Sequence, residues 1–454
     1  MSVRLGLAKA ALREHLTYDL GPLAAPIAAS VYAAARGLTL SSSPNHRTRG
    51  FAMLMRLHVA AWSPSTDARI LDVIRNAVVA ESAGRRVGLW KLFDDAAQAA
   101  ARTFRQGARP DPRRLIGSRL LVVKSPKPHE RGVLVVDYSY VFPTLAGLFD
   151  LRAIAERYTI VLEPSWAGTC TPEVLMYGRL NCPAFVETIE PRDRELLPHL
   201  GLNLQAVPVA ANWWVDHRMR PPQVTQRDID VAMVAAWADI KRHWRVFRAL
   251  SELRQRGHRL RVALVGYQYD RTRADIEALA AHFGIRDQIE TYERITQEEV
   301  SALLWRSKLH VLWSRRECAN RAIIEAMLAD VPVIVRDGMT FGFKYPYINQ
   351  HTGRFVAESD LADTILDMIA TRDRFSPRDW VLSNMTCEQA TATLERTLRE
   401  RALADGEPWT EGLVPKTSTL DTQRYWNASD ARKFDADYRF IESCLLARGT
   451  PCEA

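Results

Sequence analysis

The sequence contains few cysteines, and they follow no recognisable pattern. Six cysteines lie in 454 residues, with no Cys-x-x-Cys pair and no regular spacing, which argues against a disulfide framework and against a structural zinc site. We also recognise no secretory leader in the sequence. A reducing, cytoplasmic setting is therefore expected.

Lysine is scarce as well, since only nine of the 61 basic residues are lysines and 52 are arginines. The formal net charge is +8 and the pI is about 9.2, but the arginines are scattered, and no run approaches the basic arm of a nucleic-acid-binding protein. We therefore expect no nucleic-acid partner. A mildly positive surface instead favours phosphorylated ligands or anionic lipid.

The sequence also lacks a long, unbroken apolar run. The nearest candidate for a membrane span, residues 20–35, is rich in alanine and is interrupted by Pro22 and Pro26. It is too short and too broken to cross a bilayer. We interpret it as a helix packed against protein, and peripheral contact with the inner face of a membrane is the alternative.

The hydrophobic pattern divides the chain into four regions. Residues 1–117 show apolar residues at three- and four-residue steps, which predicts a helical extension of unknown role. Short β-branched runs alternate with helical stretches over residues 118–220, and again over 228–372 after a linker rich in Pro and Arg. Residues 373–454 are predicted as a helical extension that could cross back to the first sheet domain.

Strands that alternate with helices imply parallel sheets with right-handed crossovers. We therefore predict an α/β fold with two Rossmann-like domains, preceded by the helical extension. Such domains bind ligands beyond the carboxyl ends of their strands. Two of them joined by a short linker are expected to face each other across a cleft.

The most informative stretch is Leu312–Val335, which reads LWSRRECANRAIIEAMLADVPVIV. It places Glu317 before a predicted helix and Glu325 inside it. We expect this helix to begin near Ala319 or Asn320, so that its free backbone N–H groups attract phosphate. Eight helical residues rise about 12 Å, roughly the span of a diphosphate with a sugar on each side.

A simpler interpretation of the two glutamates is also available. Pairs of glutamates at this spacing are common by chance, with Glu317 as a solvated capping residue and Glu325 paired with Arg321 one helical turn away. The functional interpretation is favoured because an alternating strand and helix series precedes the pair and a buried strand follows it.

The segment ECANRAIIEAMLADVPVIV resembles the signature of GT-B fold retaining glycosyltransferases of the family-4 type. In that signature two glutamates separated by seven residues precede a Pro-Val-Ile strand, and the resemblance extends over Ile229–Val356. It implies that Glu317 faces the donor sugar at the catalytic centre and that Glu325 holds the ribose. The residues that would hold the diphosphate at the helix start are Cys318, Ala319, Asn320 and Arg321.

In the same family a basic pair follows the first strand of the second half and neutralises the diphosphate leaving group. Lys241 matches the lysine of this pair and is the second catalytic candidate, but Ala236 stands where an arginine is usual. Because charge stabilisation is normally a large catalytic contribution, we expect Arg242 or Arg315 to supply the missing charge. Weak activity, or a donor held differently, are the alternatives.

Two loops complete the predicted donor site. Gly266 and Tyr267 lie where relatives often contact the nucleoside base. The loop after the PVIVR strand replaces the usual Gly-Gly loop of the family, and its glycines allow close approach of the backbone to a ligand. The two tyrosines of this loop, Tyr345 and Tyr347, could simply be packing residues.

The first half resembles the family less closely, and a histidine common in relatives is absent. Its stretch VLEPSWAGTC offers Glu163 and Trp166 as acceptor-side candidates. Trp213 and Trp214 could stack on a sugar ring, although buried aromatic side chains are commoner than sugar platforms.

The leading hypothesis is a retaining glycosyltransferase that moves a sugar from a nucleoside-diphosphate sugar to a hydroxyl group. A glycan or lipid-linked acceptor is expected, as in bacterial polysaccharide or glycoconjugate synthesis. The resemblance implies no metal and no cofactor besides the nucleotide sugar. A GT-B sugar phosphorylase or synthase, and a non-catalytic subunit that binds glycan or nucleotide, are the alternatives.

Overall fold

A computed structural model describes residues 21–60, 64–165, 168–218, 226–338, 344–419 and 422–447. The chain divides into two compact units. Unit A comprises Gly21–Trp214 and the described part of Cys387–Ala454, and unit B comprises Val215–Thr386. Most of the predicted linker, residues 219–225, lies outside the described residues.

Unit A is built on a five-stranded sheet whose strands are ordered β1-β2-β3-β4-β5. Strands β2 to β5 are parallel, and β1 is antiparallel to β2, because the short connection 125–131 cannot form the crossover that a parallel pair needs. The strands are β1 Leu120–Lys124, β2 Gly132–Asp137, β3 Tyr158–Glu163, β4 Ala184–Glu187 and β5 Leu204–Val207.

Helices cover this sheet, and four of them precede it in the chain. Gly147 shows how closely they pack, since a Cβ atom there would lie 2.3 Å from the carbonyl oxygen of Ala97. The helices are α1 Gly21–Thr39, α2 Pro44–Ala60, α3 Pro64–Ser82, α4 Leu89–Gln106, α5 Val141–Leu148, α6 Leu151–Arg157, α7 Pro172–Leu175 and α8 Pro191–His199. The predicted helical character of the amino-terminal region is confirmed.

The segment from Cys387 onward packs in unit A. The backbone N–H of Val414 donates to the carbonyl of Val123 at 2.8 Å, and that of Asp150 donates to the carbonyl of Cys444 at 2.7 Å. The segment includes a two-stranded antiparallel pair, β12 (Lys416–Ser418) and β13 (Gln423–Tyr425), that was not expected from the sequence.

Unit B contains a six-stranded parallel sheet with the order β11-β10-β9-β6-β7-β8. From β6 the chain first adds strands on one side, and it then returns to add β9, β10 and β11 on the other. The direction of winding therefore reverses between β6 and β9, which makes this pair a topological switch point.

Helices cross over between the strands of unit B, as the alternating pattern predicts. The elements of unit B are β6 Ile229–Val234, α9 His243–Gln255, β7 Val262–Gly266, α10 Arg273–His282, β8 Ile289–Glu293, α11 Gln297–Trp305, β9 Ser307–Leu312, α12 Arg321–Leu328, β10 Val333–Arg336, β11 Gly353–Val356, α13 Leu361–Ala370 and α14 Pro377–Asn384. The remaining elements belong to unit A and are α15 Cys387–Ala404, β12 Lys416–Ser418, β13 Gln423–Tyr425 and α16 Asp435–Ser443.

The predicted α/β fold class, with parallel sheets and a helical amino-terminal region, is confirmed. Among the described residues, no helix combines the length and the apolar character that crossing a bilayer requires.

Candidate functional site

The predicted donor-site residues converge at the carboxyl ends of β6 and β9. Because these two parallel strands are neighbours, with Ala232 opposite His310, the loops that follow them lie side by side. The loop after β6 carries Lys241 in a short 3-10 turn, Asp239–Lys241, and the loop after β9 carries Glu317. Ligands of doubly wound sheets bind at such a position.

Lys241 and Glu317 form an ion pair. The Lys241 ammonium group donates to Glu317 Oε1, and the Ser314 hydroxyl donates to the same oxygen at 2.5 Å. The side chains of Lys241 and Glu317 are only 14% and 6% exposed. The two loops are also joined through their backbones, since the N–H of Arg315 donates to the carbonyl of Ile240 at 2.8 Å.

Helix α12 begins directly beside this pair. Asn320 is its N-cap, and the side-chain oxygen of Asn320 accepts a hydrogen bond from the backbone N–H of Ile323 at 3.2 Å. The predicted helix start near Asn320 is therefore correct to within one residue. The rise of about 12 Å assumed eight helical residues from one glutamate to the other. That assumption was wrong, because Glu317 precedes the helix rather than lying in it.

Glu325 lies within α12 and is 6% exposed. The Arg321 guanidinium lies 3.9 Å from Glu325 Oε1, at the spacing of one helical turn. The ion pair of the simpler interpretation is thus present, and it places a positive charge at the first turn of α12. The predicted helix-start residues Cys318, Ala319 and Asn320 occupy the turn between Glu317 and this helix.

Arg242, the residue after Lys241, binds a carboxylate beyond β11. Its backbone lies in the left-handed region with φ of 54°, and its guanidinium pairs with Glu358 at 3.3 Å. Arg245 and Arg248 bind the same carboxylate. The other arginine predicted to replace the one missing at Ala236 is Arg315, whose backbone N–H donates to the carbonyl of Ile240, the residue before Lys241.

Tyr267 directly follows β7, the strand beside β6. Burial, the neighbouring Tyr269 and the Glu317 carboxylate raise the pKa of Tyr267, which shows that its ring is within electrostatic range of the ion pair. Gly266 has a packing reason for being glycine, since a Cβ atom there would lie 2.3 Å from the carbonyl oxygen of Ala235.

Sequence reasoning missed His243, the first residue of α9. Burial, followed by the charges of Lys241 and Arg271, lowers the pKa of His243 to about 3. The imidazole is therefore neutral at physiological pH and adds no charge beside Lys241. Its position two residues after Lys241 was the only signal available in the sequence.

The loop after β10 reaches the same site through Tyr345. Its hydroxyl group donates to the carbonyl oxygen of Cys318 at 2.6 Å. Lys344 pairs with Asp337 at 3.2 Å, which joins the two described ends of the loop. Gly342, one of the loop glycines noted in the sequence, lies outside the described residues.

The acceptor-side candidate Glu163 lies in unit A, in a row of three carboxylates. Asp137, Glu163 and Glu187 end the adjacent strands β2, β3 and β4, and all three are almost fully buried. The Lys416 ammonium group donates to Glu163 Oε2 at 2.5 Å. The Trp214 indole N–H lies 3.1 Å from Glu187 Oε2.

This row holds more negative than positive charge. Arg119 pairs with Asp137 at 2.9 Å, yet burial and the neighbouring Glu163 outweigh that pair and raise the pKa of Asp137 to about 7. Burial, followed by the charge of Glu163, raises the pKa of Glu187 to about 8. The row therefore retains a proton at neutral pH.

The other acceptor-side candidate, Trp166, lies outside the described residues. Trp214 is a buried core residue, with the Lys416 ammonium group 4.1 Å from the centre of its ring. Packing therefore accounts for Trp214. Among the described residues, no group of three or more His, Cys, Asp or Glu side chains is arranged to hold a metal ion.

Three solved structures that are similar to the chain share 12–15% sequence identity with it. A variant of Staphylococcus aureus TarM in complex with Fondaparinux, alpha-GlcNAc-glycerol and UDP is 14% identical, with a TM-score of 0.42 over 54% of this chain and 51% of that chain. The pneumococcal O-GlcNAc transferase GtfA, in complex with UDP and GlcNAc, is 12% identical, with a TM-score of 0.41 over 55% and 54%. Sucrose-phosphate synthase from Thermosynechococcus elongatus is 15% identical, with a TM-score of 0.45 over 60% and 74%.

The present chain thus spans about half the length of the first two of these structures. No curated protein sequence gives a significant match. The family model described as Glycosyl transferases group 1 matches residues 217–378, which include Lys241, Glu317 and Glu325. The resemblance noted in the sequence is confirmed at the level of this family model, over residues 217–378.

Proposed function

We propose that the chain is a retaining glycosyltransferase of the family-4 type, which transfers a sugar from a nucleoside-diphosphate donor to a hydroxyl group of a glycan or lipid-linked acceptor. Unit B binds the donor and unit A binds the acceptor. The observation that supports this most directly is the meeting of Lys241 and Glu317 at the switch point of a glycosyl transferases group 1 domain.

Each side chain has a chemical role in this proposal. Lys241 carries the positive charge that stabilises the diphosphate as it leaves, and the free N–H groups at the start of α12 add to that charge. Glu317 accepts hydrogen bonds from the hydroxyl groups of the donor sugar. Glu325 accepts them from the ribose, because an ionised carboxylate is a strong acceptor for neighbouring hydroxyls.

One observation favours a second candidate, a subunit that binds nucleotide sugar without transferring the sugar. Ala236 stands where an arginine is expected, so one positive charge is missing, and the Arg242 guanidinium pairs with Glu358. A site with less positive charge stabilises a departing diphosphate less well. Transfer and binding must therefore be measured separately.

Binding is tested first, by thermal shift with UDP, GDP, ADP, CMP and their sugar conjugates. A ligand at 100 times its dissociation constant stabilises the protein by about 2.7 kcal/mol. We expect one nucleotide to raise the melting temperature and Lys241→Ala to abolish that shift. Lys308→Ala is the matched control, because Lys308 also forms an ion pair in unit B, with Asp230 at 2.7 Å, but in the strand that precedes the site.

Transfer is tested with the sugar conjugate of the nucleotide that binds. Glu317→Gln should lower kcat by about 10²- to 10³-fold, the effect of removing one preorganised polar group from a transition state, while the nucleotide still binds. NMR of the product should show the anomeric configuration of the donor. A wild-type protein that binds nucleotide but transfers no sugar would support the second candidate, and one that binds none of the nucleotides would refute both.

A further inference from the structure

Tyr345 is buried beside the turn that carries Glu317. It is 2% exposed, and its hydroxyl group donates to the carbonyl oxygen of Cys318 at 2.6 Å. The backbone N–H of Asn320 donates to the same carbonyl at 2.9 Å. Two donors therefore fix the peptide between Cys318 and Ala319, one residue beyond Glu317, and one of these donors comes from a different loop.

Tyr345 is itself held rigidly. Its ring stacks on that of Tyr347, with 4.9 Å between ring centres and 11° between ring planes. The carbonyl of Tyr347 accepts a hydrogen bond from the Thr352 hydroxyl at 2.6 Å. Thr352 is fully buried, and its carbonyl accepts from the backbone N–H of Val333 in β10 at 3.0 Å.

A continuous series of contacts thus runs from β10 to the residue next to Glu317. The turn from Glu317 to Asn320 lies outside the helix, since α12 begins at Arg321. A turn without regular hydrogen bonding depends on outside contacts for its conformation. Tyr345 supplies such a contact from the loop that follows β10.

We propose that Tyr345 is a positioning residue for glycosyl transfer, which holds Glu317 in its place at the donor sugar through the carbonyl of Cys318. This inference rests on the proposed function and extends it to a side chain that does not touch the substrate. The hydroxyl group is the functional element, because the ring alone would satisfy packing against Tyr347.

The first test is hydrogen exchange of ligand-free protein, which requires no substrate. Tyr345→Phe removes only the hydroxyl group and keeps the stacked ring. We expect the amides of residues 317–321 to exchange about fivefold faster in this variant, the factor that corresponds to one neutral hydrogen bond. Unchanged exchange would overturn the inference, whatever the nucleotide experiments show.

The second test separates kcat from binding. Misplacing a reacting group by about 1 Å can cost about 100-fold in rate, so Tyr345→Phe should lower kcat by about 10- to 100-fold. The dissociation constant of the nucleotide identified in the thermal-shift panel should rise by a smaller factor than kcat falls, because Glu325 and Lys241 are untouched and only the N–H groups of residues 318–321 are loosened. Equal loss of nucleotide binding, or an unchanged kcat, would contradict the positioning role.

Tyr177→Phe is the matched control. Tyr177 is also fully buried and donates from its hydroxyl group to a backbone carbonyl, that of Phe142 at 2.8 Å, but it lies in unit A. It should lower stability without changing exchange at residues 317–321. Failure of the proposed function is recognised separately, because it would show in the wild-type protein as an absence of nucleotide binding and of transfer.

Discussion

Replacing Lys416 by methionine should destabilise unit A more than any surface charge change. The Lys416 ammonium group is 2% exposed, and its partner Glu163 is 5% exposed. Its other contacts are the Ser418 hydroxyl at 3.3 Å and the ring of Trp214 at 4.1 Å. Lys416→Met keeps the length of the side chain, so the main loss is the charge that balances Glu163.

The size of the destabilisation depends on whether the Glu163 carboxylate remains charged in the variant. Breaking a buried ion pair by removing one partner costs about 3–5 kcal/mol, because the remaining charge is uncompensated. Protonation of the remaining carboxylate removes its charge and so limits this free-energy cost. A free glutamic acid needs about 3.7 kcal/mol to be protonated at pH 7 and about 1.6 kcal/mol at pH 5.5, so the destabilisation should be about 3–4 kcal/mol at pH 7 and fall by about 2 kcal/mol at pH 5.5.

Calorimetric unfolding at the two pH values measures this directly. A change of 3 kcal/mol corresponds to at least about 6 °C in Tm for a domain of this size. The double variant Lys416→Met/Glu163→Gln should recover most of the loss. Lys433→Met is the surface control, because Lys433 pairs with Asp430 but is 62% exposed, and it should cost less than about 1 kcal/mol. A loss for Lys416→Met that is below about 1 kcal/mol, or equal at both pH values, would refute the reasoning.

Raising the pH from 6 to 9 should lower the Tm of unit A, because burial raises the pKa of Glu187 to about 8 and that of Asp137 to about 7. The folded state then holds protons that the unfolded chain has released, and this stabilisation is lost as the pH rises through those values; Glu187→Gln should flatten the dependence of Tm on pH. Gly147→Ala should destabilise unit A by about 1–3 kcal/mol in urea unfolding, since the new Cβ atom would lie 2.3 Å from the carbonyl oxygen of Ala97; an unchanged midpoint would show that α4 and α5 can separate. Asn320→Ala removes the N-cap of α12 and should cost about 1 kcal/mol, measured as a lower urea midpoint for unit B.

The central strands of the unit B sheet could be predicted because they are largely buried on both faces, whereas the edge strand β11, Gly353–Val356, lay in a stretch interpreted as a loop. Parallel strands covered by helices appear in a sequence as short apolar runs with polar residues at their ends. Val333–Arg336 is fully buried along its length, and the strand begins directly after the turn at Asp330–Pro332. The start of α12 was equally clear, because asparagine is a favoured N-cap.

Short strands were the part of the fold that escaped prediction. The hairpin strands Lys416–Ser418 and Gln423–Tyr425 have three residues each, which is too short for the period-2 pattern to be recognised. These strands form because backbone groups elsewhere in unit A provide hydrogen-bond partners. Gln423, for example, donates from its backbone N–H to the carbonyl of Ser118 at 2.9 Å.

Side-chain partners were beyond prediction for a related reason. The family resemblance selected Lys241 and Glu317 separately, but spacing along the chain contains no information on whether two side chains meet. Their direct pairing, with the Ser314 hydroxyl on the same oxygen, follows only from the adjacency of β6 and β9. Likewise, Glu163 was predicted to face an acceptor, whereas it is buried against a lysine 253 residues away.

Buried lysine–glutamate pairs are not a functional signature in themselves. Among the described residues, the Lys124 ammonium group lies 2.6 Å from Glu130 and is 1% exposed, and Lys416 is buried against Glu163 in the same unit.

The ion pair formed by Lys241 differs from these pairs in its position relative to the strand order of the sheet. In unit A the strands β2 to β5 follow one another in a single direction, so no switch point opens beside Glu163. In unit B the winding reverses between β6 and β9, and the ion pair joins the loops that follow these two strands, beside the start of a helix. Topology, rather than burial or charge, therefore separates the pair that can meet a ligand from the pairs that only stabilise the fold.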